Sequence, residues 1–389
     1  MGQGNQTTNR FSEDPSDQGK PVSRVADLLV VTSRLRLGQP APSTPEHWRE
    51  GLARLLEWLG IDVDFVPAER SRRLPKVADW VVPAGRNSSD YFTIFAPWLA
   101  WSPVALQQGG APGLPQALFM ASYLIEHDRG QAVARGGIDL VLMSPHPAVC
   151  AVEQAGEAPL PRLQVLEAMI RTAKAEGRDK LAIILHAHQR NALARKLLSA
   201  NRGLTRDGLN IEILTIEEAL SPLGARTSPW DAIIAMPDLR GIVFTMLAEA
   251  SGVKGPWPML WHGGERGREL PLITSEAIGG GGAGFTLDAS VLIHALALCL
   301  HHAGSVQAAR RLYEAWSRLR DSGVTVAGRG QDAPYVTQVR DSDFIAMLCH
   351  GAGVSRRPVR AWRALGCPEP VDAVRQPSGL RVVASNVAV

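Results

Sequence analysis

Between Trp230 and Gly304 the chain leaves itself few folds. It opens W-D-A-I-I-A-M-P, an apolar run from Ala232 to Met236 closed by Pro237. That is the length and punctuation of a fully covered strand. Residues 239–250 follow with apolar side chains nearly all round, which predicts a helix buried against a partner. After a loop rich in Pro and Trp comes L-P-L-I-T-S-E-A-I, then a glycine run at Gly279, Gly280, Gly281 and Gly282, then a second apolar helix ending in C-L-H-H-A-G. Two readings of the glycine run stay open. Its bare backbone N–H groups suit a phosphate or nucleotide ahead of a helix. Four consecutive glycines also specify no single conformation, which suits a flexible connector.

The same alternation runs along the rest of the chain and argues an α/β architecture with substantial sheet. Strands are expected at Ala26–Thr32, Ile61–Val66, Ala78–Pro83, Ile138–Met143, Lys180–Leu185 and Ile211–Ile216. Helices are expected after the Thr44-Pro45-Glu46 start signal, with Trp48, Leu52, Leu55, Leu56 and Leu59 at helical spacing and Gly60 as the stop. Further helices are expected at Ala117–Leu124, Leu163–Ala175, Ala192–Leu198, Val306–Leu319 and from Ser342 to Leu348. Phe92–Trp101 is aromatic and apolar, and Pro103 begins a crossover between domains. With 389 residues, 45% hydrophobic and 20% charged, there is material for two domains of ordinary size.

A net charge of +3 gives no sequence-wide case for nucleic acid. Arg70–Arg73 and the arginines Arg356, Arg357, Arg360 and Arg363 lack the aromatic interleaving of a stacking platform, and the last four read as a solvated tail. No stretch is long and apolar enough to span a membrane. The polar N-terminus lacks a signal-peptide core and reads as disordered. Cys150, Cys299, Cys349 and Cys367 form no C-x-x-C pair, which fits a reducing, cytoplasmic setting.

Order and spacing resemble the isocitrate and isopropylmalate dehydrogenase family, the decarboxylating β-hydroxyacid dehydrogenases, over roughly Ala26 to Leu348. The resemblance is carried by I-D-L-V-L-M at Ile138, K-L-A-I-I-L-H-A-H at Lys180, W-D-A-I-I with D-L-R-G-I-V at Trp230, L-P-L-I-T-S-E-A-I with the glycine run, and F-T-L-D-A-S-V-L-I-H-A-L-A-L-C-L-H-H-A-G. It implies a two-domain α/β fold with a central cleft. A large cofactor-type domain would combine residues 23–103 with 251–350, and a middle substrate-type domain, residues 104–250, would also dimerise. Residues 1–22 would be a disordered tail and 351–389 a C-terminal extension. NAD or NADP would be met by Ser275, the run Gly279–Gly282 and Asp288, with His186 on the family's lysine position and Glu217 on the carboxylate that a partner subunit contributes.

The departures bear on function. Metal-assisted decarboxylation needs carboxylates on a hard cation, yet the positions of the family's helical aspartates read Ile242 and Met246. The stretch Ile94–Gln108, where the resemblance expects substrate-clamping arginines, contains neither Arg nor Lys. The catalytic tyrosine falls near Cys150 or Ala151. A divalent metal is therefore not expected.

Two functions follow. The first is a family relative without the standard catalysis, acting as a non-catalytic subunit, scaffold or ligand sensor, as a homodimer or with an active homologue. Ile242, Met246, Trp98 and Trp101 would then fill the cleft with apolar surface. The second is an NAD(P)-dependent oxidoreductase acting on a less charged hydroxy acid, with candidates His186, His188, Glu217, Glu218, Asp238 and His262. His186 and His188 would make a zinc site only with a third ligand from elsewhere, and otherwise read as ordinary loop histidines. His301 and His302 are expected as cationic caps at a helix C-terminus.

Overall fold

The computed structural model describes residues 35–40, 46–70, 80–81, 92–107, 117–126, 137–152, 159–199, 209–225, 228–253, 255–263, 272–278, 287–326, 336–351 and 359–366. All of them lie in the compact unit Arg34–Val389. The N-terminal tail, the strand expected at Ala26–Thr32, the Thr44 cap and the run Gly279–Gly282 fall outside the described residues.

The strands are β1 (Leu35–Pro40), β2 (Val63–Arg70), β3 (Trp80–Val81), β4 (Phe92–Trp101), β5 (Phe119–Glu126), β6 (Ile138–Pro145), β7 (Cys150–Ala151), β8 (Leu160–Pro161), β9 (Lys180–Leu185), β10 (Asn210–Thr215), β11 (Ala232–Ala235), β12 (Trp257–His262), β13 (Leu272–Glu276), β14 (Val324–Val326) and β15 (Thr337–Val339). The helices are α1 (Glu46–Leu59), α2 (Pro103–Gln107), α3 (Leu163–Ala175), α4 (Arg190–Ser199), α5 (Ile216–Leu223), α6 (Arg240–Ser251), α7 (Ala289–His302), α8 (Val306–Asp321) and α9 (Asp341–His350).

One eleven-stranded sheet carries the molecule, in the order β10-β9-β11-β6-β5-β12-β13-β4-β1-β2-β3. β10, β9, β11 and β6 are mutually parallel, as are β13, β4, β1 and β2. Between the two blocks β6, β5, β12 and β13 pair antiparallel. Of the strands from residues 104–250, β5, β6, β9, β10 and β11 form one contiguous end of this sheet, while β7 and β8 pair as a separate ribbon. A parallel block needs both faces covered, and β9 answers with Leu181 to Leu185 fully buried. In α1 the spaced residues Trp48, Leu52, Leu55, Leu56 and Leu59 are all buried, and Gly60 at φ 70° stops the helix. α7 is buried along Ala289–Leu300, with Asp288 as N-cap accepting from Val291 N–H at 2.9 Å.

Three expectations are corrected. Residues 117–124 do not form a helix. They enter β5, buried on both faces between β6 and β12. A short run that is apolar but for Ser122 and the Tyr123 hydroxyl has no period to separate a covered strand from a covered helix, and here sheet pairing decides. Arg360 and Arg363 are not solvated. Arg363 N–H donates to Asp139 Oδ2 at 2.9 Å, its guanidinium meets Asp231 Oδ2 at 2.6 Å, and Arg360 Nη1 reaches the Gly137 carbonyl at 2.9 Å. Trp362, 1% exposed, lies among Tyr123, His294 and Tyr313. Finally, His301 and His302 do end α7, but burial is the main cause that lowers the proton affinity of both, His302 to about 4. They sit there as neutral rings, because desolvation outweighs the helix dipole.

Candidate functional site

β6, β9, β10 and β11 are parallel, so their C-terminal ends share one edge, where ligands of open α/β sheets gather. His186 leaves β9 at this edge. Its N–H donates to Gln189 Oε1 at 3.0 Å, and its Nε2 meets Asp238 Oδ2 at 2.7 Å. Asp238 belongs to the turn between β11 and α6, and its carbonyl accepts from Gln107 Nε2 at 3.1 Å. The His186 and Asp238 side chains are 34% and 58% exposed. The His188 ring stacks on His186 at 5.4 Å, but among the described residues no set of three His, Cys, Asp or Glu side chains is placed to hold a metal.

Leu185 and Thr215 are register partners, so His186 and the start of α5 are neighbours. Glu217 is nonetheless exposed, and the carboxylate that meets His186 is Asp238. Glu218 caps α5: Thr215 N–H donates to Glu218 Oε2 at 2.9 Å, Glu218 N–H donates back to Thr215 Oγ1 at 3.3 Å, and Arg190 grips the carboxylate at 3.0 and 3.1 Å. Cys150 carries a thiol pushed up to about 12, by burial first and then by Asp238. It is neutral at physiological pH and cannot replace a phenol as a proton donor of ordinary strength.

Of the expected cofactor residues, Ser275 and Asp288 are described. Ser275 is buried in β13, and its hydroxyl donates to the Pro97 carbonyl at 2.6 Å. That bond sits at the irregular register between β13 and β4. Asp288 caps α7, as described above.

At α6 the donor set does not fit a divalent cation. Ile242 is 47% exposed and Met246 is partly buried against the core. The start of this helix is also covered. A Cβ added at Gly241 would lie 2.9 Å from Gln107 Nε2 and 3.6 Å from Pro103. The helix α2, from the stretch expected to clamp substrate carboxylates, is therefore seated directly on the start of α6. Beneath it Leu106, Ala117, Met120, Met259, Trp261 and Leu272 pack as a separate apolar cluster with Trp101 against it.

Sequence reasoning missed the strongest polar feature here. Arg240 Nε and Nη2 bind Glu276 at 2.9 and 2.7 Å, Nη2 also donates to Ser122 Oγ at 2.8 Å, and Ser122 donates to Glu276. Both charged side chains are fully buried. The signal was present as one Arg opening an apolar helix and one Glu closing an apolar strand, which is a pattern of two charges that must find each other.

His262, at the end of β12, stacks on Phe119 at 4.1 Å and faces His302 at 6.4 Å. Burial, then the neighbouring His302, lowers it to about 3. It is a neutral ring in an aromatic stack.

No protein-family model and no curated protein matches the sequence. Solved structures do match in fold. The chain is similar to the TT0538 protein from Thermus thermophilus, with TM-score 0.55 and 13% identity over 87% of this chain and 72% of that one. It is also similar to isocitrate dehydrogenase from Methylococcus capsulatus, with TM-score 0.53 and 13% identity over 81% of this chain and 98% of that one. The fold is thus α/β and isocitrate-dehydrogenase-like.

Proposed function

We propose that this chain is a divergent relative of the isocitrate and isopropylmalate dehydrogenases without their metal-dependent decarboxylation, serving as a non-catalytic subunit, scaffold or ligand sensor. The carrying observation is the seating of α2 on Gly241 of α6. In this reading that contact brings an uncharged helix, with neither Arg nor Lys, to the place where the resemblance expects substrate-clamping arginines. Ile242 and Met246 offer a hard cation nothing, and Arg240, at the start of the same helix, is matched internally by Glu276. In this reading the chain works in the cytoplasm as a homodimer or beside an active homologue. Residues 104–250 form its dimerising middle domain, and residues 23–103 with 251–350 its cofactor-type domain.

A second reading draws support from the His186–Asp238 hydrogen bond. The pair sets an imidazole beside a carboxylate, the two groups of a general base and the partner that orients it. The chain would then be an NAD(P)-dependent oxidoreductase for a less charged hydroxy acid. Calorimetric titration with NAD⁺ and NADP⁺, with and without Mg²⁺, separates the readings. The first expects no metal-dependent gain in affinity. A tenfold tightening with Mg²⁺ would overturn it, and metal-independent nucleotide binding would favour the second.

A further inference from the structure

The apolar cluster under α2 has a polar border that its own residues do not satisfy. Arg240 uses Nε and Nη2 on Glu276 and Ser122, while its Nη1, in a side chain 0% exposed, has no acceptor among the described residues. Trp101 Nε1 is likewise buried without an acceptor among the described residues. By contrast Trp261, in the same cluster, donates its Nε1 to Thr274 Oγ1 at 2.8 Å. Buried donors left unmatched are uncommon in folded proteins, and each calls for an explanation.

The two donors share a neighbourhood. Trp101 is the register partner of Glu276, the carboxylate that Arg240 grips. Glu276 lies two residues beyond Thr274, so both point to the same sheet face. That face carries Trp261, which Trp101 meets edge-on at 5.8 Å. Leu106 of α2, 1% exposed, plugs the cluster. α2 is short, and its tie to the α6 side is the Gln107–Asp238 bond.

We infer that this cluster is an occluded binding site for a small, uncharged, apolar molecule carrying one carbonyl oxygen. The ligand takes the volume of Leu106 when α2 lifts, and its oxygen accepts from Arg240 Nη1 and Trp101 Nε1. One carbonyl oxygen has two lone pairs for those two donors. An anion is disfavoured because Glu276 already neutralises Arg240, so a carboxylate would be a net buried charge without a counterion. The inference names the ligand class for the closed cleft and rests on that reading of the cleft.

The test is calorimetric titration of the full chain with benzylacetone, its charged isostere hydrocinnamate and the hydrocarbon butylbenzene. Benzylacetone should bind saturably, about tenfold more tightly than either of the others. Leu106→Ala should strengthen benzylacetone binding several-fold. Trp101→Phe keeps a ring but removes the donor, and should weaken benzylacetone several-fold while leaving butylbenzene unchanged. No saturable binding to the natural chain would overturn the inference, as would binding confined to the Leu106→Ala variant, which is an engineered cavity. Hydrocinnamate binding as tightly as the ketone would also overturn it. Metal-dependent nucleotide binding would sink the proposed function, whereas failure of the ketone titration sinks only this inference.

Discussion

Single residues show how the chain trades surface charge for internal matching. Arg240 and Glu276 are both fully buried, and at that depth removing one partner strands the other. Arg240→Met should therefore cost about 3–5 kcal/mol of stability, read as a shift of the urea midpoint. A loss below about 1 kcal/mol would mean that Glu276 finds another partner or water. The histidines carry a second prediction. His262 and His302 take protons at about 3 and about 4 when folded, but near pH 6.5 when unfolded. Their contribution is fully present above pH 6.5 and is lost as pH falls, because the unfolded chain binds protons that the folded chain refuses. Facing them are His301, which also binds protons weakly, and Arg310 beside it. The urea midpoint should drop from pH 6.5 towards 4, with a slope of at most about 1.4 kcal/mol per pH unit for each imidazole. His262→Phe should keep a stack on Phe119 and flatten that slope.

Among elements, the segment Val359–Gly366 stands out for its distance in sequence from what it holds. Trp362 fills the space between β5, α7 and α8, while Arg363 joins Asp139 of β6 to Asp231 before β11. Beneath it Arg178 binds Glu176 at 2.7 Å and the Asp231 carbonyl at 2.7 Å, and Tyr123 donates to Glu176 at 2.7 Å. Burial, chiefly, raises the Tyr123 and Glu176 pKa values. Trp362→Ala should cost about 3–5 kcal/mol, the range for deleting a large aromatic from a core. Differential scanning calorimetry should show this as a lower Tm for one cooperative transition. An unchanged Tm would mean that the segment is an appendage.

For the whole molecule, the α/β class was legible because its evidence is local. The runs at Ile138, Lys180, Ile211 and Ala232 are short, apolar and bounded by turn residues, and each became a strand of the central sheet. The helices at Glu46, Leu163 and Val306 were legible because their apolar residues recur at helical spacing. β5 was not, because a nearly continuous apolar run with Ser122 inside it shows no period and only pairing with β6 and β12 makes it a strand. The candidate site divides the same way. His186 and Asp238 were each visible at strand ends in the sequence. Their 2.7 Å contact across two adjacent parallel strands was not. The absence of carboxylates at Ile242 and Met246 could be read from residue identity alone. By itself, then, the sequence determined the alternation of strands and helices and the apolar identity of positions 242 and 246, since both depend on residue type and near-neighbour spacing. Tertiary structure alone decided that α2 closes onto Gly241, that Arg240 spends its charge on Glu276, and that Trp362 is core, because each joins segments tens of residues or more apart that only packing brings together.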